Sequence, residues 1–317
     1  MIKEVRKIEE LMRAQRYVTD RAIATTVFLA IRLNKPLLIE GQAGVGKTEI
    51  AKVLAAALET ELIRLQCYEG LDISTSVYEW NYPKQMLRIK MEEQEKHTAE
   101  EKESIIFSED FLLKRPLLRA VTNQKHSPVL LIDEVDRADE EFEAFLLEVL
   151  SDFQVTIPEL GTIVAEHRPY VVLTSNRVRE LSDALKRRCL YLWIDYPDFE
   201  KELQIIKNRI PDISEKFAAQ IAVFMQGVRR LKLAKTPGVA ETLDWAMSLM
   251  SLHLDHLDYA AVQDTLGAFL KDRHDVDRLS NDSLDALIAS VNGLDSDELR
   301  ARSGALVDLI GRQMLGC

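Results

Sequence analysis

Five short apolar runs, separated by segments of helical periodicity, constrain the fold of this chain more than any other feature. The runs are PLLIE (36–40), LIRLQ (62–66), VLLID (129–133), YVVLTS (170–175) and LYLWID (190–195). Runs of largely continuous apolarity, in contrast to strict alternation of apolar and polar residues, are typical of strands covered on both faces. We therefore expect an α/β fold with a parallel sheet between two helical layers.

The strand pattern stops at Pro197, after which the segments FEKELQIIKNRI, SEKFAAQIAVFMQGVRRL and GVAETLDWAMSLMSLHL all have helical periodicity. This change predicts a three-layer αβα domain over residues 1–197 and a smaller all-helical lid domain over 198–317, ending in a C-terminal helical extension. Two segments of the first domain alternate around turn residues, and each predicts an inserted β-hairpin. They are SVYEWNYPKQMLRIK (76–90) and FQVTIPELGTIVAEH (153–167).

Charge and composition narrow the possible functions and compartments. The net charge of −11 makes nucleic-acid binding, which draws on clustered lysines and arginines, a weaker expectation without excluding a local basic groove. The N-terminus has no apolar core of a secretory signal, and no apolar run approaches the length of a membrane span. Cys67, Cys189 and Cys317 show no paired spacing, so we expect neither disulfides nor a zinc site, and a cytoplasmic location.

A glycine-rich loop, GQAGVGKT (41–48), follows the first predicted strand and precedes a predicted helix. It matches G-x-x-x-x-G-K-[ST], in which glycines let backbone N–H groups point at phosphate oxygens. Lys47 would reach the β- and γ-phosphates, and the Thr48 hydroxyl would ligate Mg²⁺. An ordinary strand-to-helix turn is the alternative, but the complete match favours a P-loop NTPase. The nucleotide-binding candidates are Gly41, Gln42, Ala43, Gly44, Val45, Gly46, Lys47, Thr48 and Glu49.

Two further strand ends carry polar residues suited to hydrolysis. In VLLIDEVDRAD (129–139), Asp133 would hold Mg²⁺ through its water shell, and Glu134 would orient and deprotonate the attacking water. The alternative is a strand that simply ends in acidic turn residues. In LTSN (173–176), Asn176 would present its amide between the γ-phosphate and that water, although asparagine is also frequent in turns.

In this order, the motifs resemble those of the AAA+ ATPases, and among them the MoxR group. The resemblance rests on GQAGVGKTEIAKVLA, LLIDEVDRAD, VTIPELG, LTSN and ALKRRC. The segments YEGLDISTSVYEWNYPKQML and LSDALKRRCLYLWIDYPD are most similar to accessory ATPases of carbon monoxide dehydrogenase maturation. The resemblance covers about residues 15–275, and residues 276–317 carry none of it.

The resemblance implies ATP and Mg²⁺ as ligands and a homo-oligomeric ring of six subunits, with nucleotide between neighbours. It also implies a chaperone that acts with a partner carrying a von Willebrand factor A domain and remodels or matures a metalloenzyme client. Arg188, with Arg187 as second candidate, would reach into the neighbouring subunit's site as an arginine finger. The alternative is that these cations only complement the C-terminal dipole of their own helix.

One departure from the resemblance concerns the helical domain. Related proteins often have an arginine there within a Ser-Pro-Arg stretch, whereas this chain has KTPGVAETLDW (235–245) with Gly238 in its place. Lys235, Arg229 and Arg230 are the candidates to substitute for it. Two other functions stay open on the same ATPase core: a motor or loader that acts on nucleic acid, and a nucleotide-dependent protein-binding switch.

Overall fold

The computed structural model describes residues 2–92, 98–279, 284, 288 and 291–315. Parts of the helical extension predicted over 276–317, including Cys317, lie outside these residues. The strands are β1 Leu37–Gly41, β2 Leu62–Gln66, β3 Tyr78–Trp80, β4 Leu112–Lys114, β5 Val129–Asp133, β6 Gln154–Ile157, β7 Gly161–Val164, β8 Tyr170–Ser175 and β9 Leu190–Ile194. The α-helices are α1 Ile2–Ala14, α2 Arg21–Leu33, α3 Lys47–Ala57, α4 Ile73–Ser76, α5 Tyr82–Glu92, α6 Ala99–Ile106, α7 Pro116–Val121, α8 Glu140–Asp152, α9 Asp183–Arg188, α10 Phe199–Arg209, α11 Glu215–Arg229, α12 Val239–Ser251, α13 Tyr259–Phe269, α14 Arg273–Leu279 and α15 Ser296–Leu315.

The five predicted strands form one sheet in the order β2-β5-β8-β1-β9, with β1–β8, β5–β8 and β2–β5 paired in parallel. Every residue of β1 and β5 is buried, as expected for strands covered on both faces. The predicted α/β fold with a parallel sheet is therefore confirmed. Because β8 lies between β1 and β5, the residues that follow these three strands meet at one edge of the sheet.

The two predicted hairpins have different outcomes. The prediction of a hairpin over residues 76–90 is wrong, because β3 pairs antiparallel with the distant β4 and α5 begins at Tyr82. Pro83 lies in the first turn of α5, where a helix tolerates proline, so it starts a helix rather than a hairpin turn. In the second segment β6 and β7 do form an antiparallel pair, with Val155 opposite Ile163.

The chain divides into two compact units between Trp193 and Ile194. The first unit contains the sheet. The second unit comprises the segment from Ile194 onward together with two short pieces of earlier chain, Arg16–Val18 and Gln42–Gly46.

The second unit is a helical bundle with an aromatic centre. The Trp245 ring lies 5.1 Å from that of Phe224 and 4.7 Å from that of Phe269, and all three side chains are fully buried. Leu299 and Leu306 of α15 belong to the same core, so this C-terminal helix is part of the bundle. Across the described ranges, no helix combines the length and apolarity needed to span a lipid bilayer.

Candidate nucleotide site

Lys47 lies at the centre of the polar edge of the sheet. It is the first residue of α3, and its Nζ donates to Gly41 O at 2.8 Å and to Asn176 Oδ1 at 2.7 Å. Its side chain is buried, and this desolvation lowers its pKa, although the nearby carboxylates of Asp136, Asp133 and Glu134 oppose the shift. The hydrogen-bond acceptors of Nζ at Gly41 and Asn176 are neutral oxygens, which a phosphate oxygen can replace.

Asp133 and Thr48 form an oxygen-rich pair beside Lys47. Asp133 ends β5 and is 3% exposed, and its Oδ1 accepts from Thr48 Oγ1 at 3.0 Å. The same Oδ1 accepts from Thr174 Oγ1 of β8 at 2.5 Å. Hydroxyl and carboxylate oxygens are the hard ligands that Mg²⁺ prefers, so this pair fits a magnesium site.

Glu134 follows β5 in a left-handed backbone conformation, with φ 54° and ψ 49°. Its N–H donates to Thr174 Oγ1 at 2.9 Å, which fixes the turn against β8. Its Oε1 accepts from Asn176 Nδ2 at 3.3 Å, and its Oε2 lies 3.1 Å from Arg137 Nε. Asn176 thus links Lys47 and Glu134, as the order of the strands requires.

Sequence reasoning missed four residues of this cluster. Arg64 of β2 donates to Asp133 Oδ2 from Nε at 3.1 Å and from Nη2 at 2.5 Å, and Gln66 Nε2 donates to Glu134 Oε2 at 3.1 Å. The pattern LIRLQ (62–66) could have indicated Arg64 and Gln66, because these two polar residues lie on the same face of the strand. Thr174 is the third missed residue.

Asp136 is the fourth missed residue, and it positions Asn176. Its Oδ2 accepts from the backbone N–H of Asn176 at 3.1 Å and from that of Val178 at 2.8 Å. The side chain is 1% exposed, so this carboxylate holds the chain that leaves β8 from inside the protein.

The middle of the glycine-rich loop depends on the conformational freedom of glycine. Gly44 (φ 75°) and Gly46 (φ 90°) have backbone conformations that L-residues rarely adopt. Gln42 and Ala43 are exposed, whereas Val45 is buried. Gly41, Lys47 and Thr48 belong to the cluster at the polar edge of the sheet. Glu49 instead forms an ion pair with Lys52 at 3.3 Å.

The two candidate finger residues are not part of this cluster. Arg188 ends α9, and its Nε donates to Ser151 Oγ at 2.7 Å while its Nη1 donates to Ala184 O at 3.2 Å. Arg187 is exposed and forms no hydrogen bond or ion pair with any part of the chain that the structure describes. Both guanidinium groups lie at the surface of the first unit.

Of the three cations proposed to replace the missing arginine, Arg229 is already engaged. Its side chain is 6% exposed, and it forms an ion pair at 2.7 Å with Glu202, which is fully buried. Its guanidinium also lies over the Tyr196 ring at 5.1 Å. Lys235 and Arg230 stay candidates.

Comparison with known proteins agrees with this site. Residues 36–189 match the family model for the AAA domain (dynein-related subfamily). An uncharacterized protein of Staphylococcus aureus is 27% identical over 206 residues, which cover 63% of this chain and 70% of that protein. A second uncharacterized protein, from Staphylococcus haemolyticus, is 24% identical over 220 residues, 67% of this chain and 75% of that protein.

Among solved structures, the chain is similar to the RuvB Holliday junction branch migration motor of Thermotoga maritima. The alignment covers 87% of this chain and 81% of that one, with 17% identity and a TM-score of 0.46. The matched family model spans β1 through Cys189, and so contains Lys47, the acidic end of β5 and Asn176. Residues 36–189 are therefore similar to AAA domains, and the chain is an ATPase.

Proposed function

We propose that ATP is hydrolysed at the polar edge of the sheet by Lys47, Thr48, Asp133, Glu134 and Asn176. The observation that carries this assignment is the chain of hydrogen bonds from Lys47 Nζ to Asn176 Oδ1, and from Asn176 Nδ2 to Glu134 Oε1. The side-chain amide of Asn176 thus links Lys47, the proposed phosphate-binding cation, to Glu134, the proposed general base. The family match over these residues supports the assignment.

The loop of residues 41–48 and the Thr48–Asp133 pair would hold the triphosphate and Mg²⁺, respectively. When bound, Mg²⁺ supplies positive charge at the phosphate oxygens. Thr48 Oγ1 would turn from Asp133 Oδ1, which it contacts at 3.0 Å, toward the metal. Lys47 would exchange its hydrogen bonds to Gly41 O and Asn176 Oδ1 for charge-assisted hydrogen bonds to phosphate oxygens.

Glu134 would accept a proton from the attacking water as its oxygen bonds to the γ-phosphorus, and the bond to the β-phosphate oxygen would break to release ADP. Once Lys47 turns to phosphate, Asn176 Oδ1 is released to accept a hydrogen bond from that water. The left-handed turn at Glu134 and the contact with Arg137 Nε at 3.1 Å would orient the carboxylate for this step.

The decisive test is Glu134→Gln, which keeps the shape of the side chain and removes its basicity. We expect ATP binding within about twofold of the wild type and turnover lower by about 100-fold or more, the usual contribution of a general base. Glu109→Gln is the control, because Glu109 forms an exposed ion pair with Lys114 outside the cluster. Wild-type turnover in the Glu134 variant would remove this residue from the mechanism.

We further propose that hydrolysis drives a MoxR-type AAA+ chaperone, a ring of six subunits that remodels a protein with a von Willebrand factor A domain partner. The motif resemblance described above supports this role, including its extension to metalloenzyme maturation of the carbon monoxide dehydrogenase type. Exposed apolar side chains on α5 support a protein partner, since such patches mark interaction surfaces. They are Tyr82, Met86, Leu87 and Met91, between 57% and 63% exposed.

Three measurements separate this proposal from the other functions. Strong stimulation of ATP turnover by single- or double-stranded DNA would favour a nucleic-acid motor, the activity named for the Thermotoga protein. Release of the partner on ATP binding alone, undiminished in Glu134→Gln, would favour a binding switch. Stimulation by a protein client that requires Glu134 is the result expected for a chaperone.

A further inference from the structure

The backbone of Gly44, in the phosphate loop (residues 41–48), lies in direct contact with the start of α12. Gly44 O accepts from Val239 N at 2.9 Å and from Ala240 N at 3.3 Å. These are among the first N–H groups of the helix, which have no acceptor within the helix itself. The loop carbonyl therefore caps α12, and the two segments are joined by main-chain hydrogen bonds.

Gly238, the N-cap residue of α12, makes this contact sterically possible. A Cβ atom added to Gly238 would lie 2.7 Å from Gly44 Cα and 2.8 Å from Ala43 O, distances that real Cβ atoms do not show. Its own backbone, with φ −85° and ψ −171°, is extended and open to any residue. Close packing against the loop, rather than backbone conformation, is therefore the reason that only glycine fits here.

The position of Gly238 is set by a buried network on the other side. Arg229 Nε donates to Pro237 O at 2.8 Å, and its Nη2 donates to Gly238 O at 3.2 Å. The guanidinium is itself held by Glu202, in an ion pair of 2.7 Å between two buried side chains. Glu241 Oε2 accepts from Gly238 N at 2.9 Å, so both backbone polar groups of Gly238 have partners.

We propose that Gly238 is a positioning residue that couples Gly44 of the phosphate loop to α12 within the second unit, and that α12 shifts together with Gly44 when nucleotide binds. The inference rests on the proposed ATP-binding role of residues 41–48. The main-chain contact between Gly44 and α12 can transmit a small displacement, because closely packed segments move together instead of deforming gradually. The Arg229–Glu202 pair would carry the displacement from residues 237–238 into the core of the helical bundle.

The first test is Gly238→Ala, with Gly238→Ser beside it because serine is a better N-cap than alanine. Both add the same Cβ, so we expect the KM for ATP to rise about tenfold in both, a typical effect of overpacking, with kcat changed less than about threefold. Gly267→Ala is the control, since Gly267 lies within α13 and a Cβ there meets nothing within 4 Å.

A second variant and a second measurement keep the proposal testable if Gly238→Ala does not fold. Val239→Pro removes the N–H that donates to Gly44 O, and proline is well tolerated at the first position of a helix. We expect a rise of about threefold to tenfold in the KM for ATP, in line with the loss of one hydrogen bond.

The second measurement is amide hydrogen exchange of Val239 and Ala240 without nucleotide, which does not depend on ATPase activity. In Gly238→Ala we expect these two amides to exchange about tenfold faster than in the wild type and in Gly267→Ala. In Val239→Pro only the amide of Ala240 is followed, because proline has no amide hydrogen. Unchanged exchange in Gly238→Ala, with an unchanged KM in both Gly238→Ala and Val239→Pro, would overturn the coupling. Faster exchange in Gly238→Ala, together with a wild-type protein that binds no ATP, would instead refute the proposed function and leave the contact between Gly44 and α12 intact.

Discussion

Arg64 holds Asp133 from the neighbouring strand, with Nε at 3.1 Å and Nη2 at 2.5 Å from Oδ2. Asp133 is 4% exposed at its side chain, while that of Arg64 is 51% exposed, so the cation reaches a buried carboxylate from the solvent side. The proposed magnesium ligand is therefore already paired with a positive charge. Arg64 and Mg²⁺ would therefore compete for electrostatic interaction with the same carboxylate, that of Asp133.

Replacing Arg64 by methionine should increase the apparent affinity of the ATPase for Mg²⁺. Removal of a neighbouring cation is expected to lower the Mg²⁺ concentration at half-maximal ATPase activity by about threefold to tenfold at low salt, and by less at high salt. A magnesium titration of turnover at two ionic strengths measures this. Arg119→Met is the matched control, because Arg119 pairs with Glu61 just before β2. Weaker activation in Arg64→Met would mean that the arginine mainly orients Asp133.

Mixing of single-site variants tests whether an arginine acts across a subunit boundary. Lys47→Ala should fail to bind nucleotide yet still offer its arginines, whereas Arg188→Ala should bind nucleotide and offer none, so each alone should be nearly inactive. A mixture should regain ATPase activity if the guanidinium acts in trans. The same mixture with Arg187→Ala decides between the two, since Arg188 is tied to Ser151 Oγ and Arg187 is not.

The mixture could fail for a trivial reason, so subunit exchange is measured separately with labelled protein. If exchange occurs and both mixtures stay inactive, neither arginine is a finger. The cations of α9 would then act only on the C-terminal dipole of that helix, worth about 0.3–1 kcal/mol.

Two glutamates of α10 should differ sharply in their contribution to stability. Glu202 is fully buried with Arg229, so Glu202→Ala leaves an unpaired buried charge and should cost about 3–5 kcal/mol of unfolding free energy. Glu200 pairs with Arg300 at the surface, where both side chains are more than 40% exposed, and Glu200→Ala should cost less than about 1 kcal/mol. Urea denaturation followed by far-UV circular dichroism compares them. Equal losses would contradict the burial argument.

The two described cysteines should be chemically inert in the folded protein. Burial raises the pKa of Cys67 to about 12, with smaller contributions from nearby carboxylates, and burial also raises that of Cys189 to about 12. In a Cys317→Ser background, iodoacetamide at pH 8 should modify neither thiol within hours, whereas in urea both should react. Mass spectrometry counts the adducts, and rapid labelling of native protein would contradict the prediction.

The same shifts predict a fall in stability at alkaline pH. The folded chain keeps both thiol protons, while the unfolded chain loses them near the ordinary pKa of 9.0. The folded state therefore binds more protons between that pH and about 12, and its unfolding free energy decreases as the pH rises through this window. Replacing both cysteines by alanine should flatten this part of the stability curve.

Three residues of the cluster could be proposed from sequence, because Asp133 and Asn176 stand at the ends of recognisable apolar runs and Lys47 closes the glycine-rich loop that follows another. The order of Lys47, Asp133 and Asn176 along the chain placed them at one sheet edge, and the structure brings them together. Arg64 and Thr174 could not be assigned in the same way, because their roles depend on which strands are neighbours. Strand order is a non-local property that no single run encodes.

The predicted hairpin over 76–90 failed for a related reason. The polarity of residues 76–80 alternates as in a strand, but the partner of β3 is β4, more than thirty residues later. Trp80 is buried against the Phe107 ring at a centroid distance of 5.3 Å, so distant packing decides this region. Pro83 is compatible with both a turn and a helix start, and the sequence alone does not choose between them.

The position of β8 has a consequence for how this protein is made. β8 begins at Tyr170 and pairs with both β1 and β5, strands that emerge from the ribosome earlier. Until Asn176 has been synthesised, the nascent chain holds two apolar strands with no neighbour between them, a state that favours chaperone capture and aggregation. The polar edge of the sheet and the pairing of β1 and β5 with β8 therefore form together, so ATP should protect purified fragments from proteolysis only if they extend beyond about residue 176.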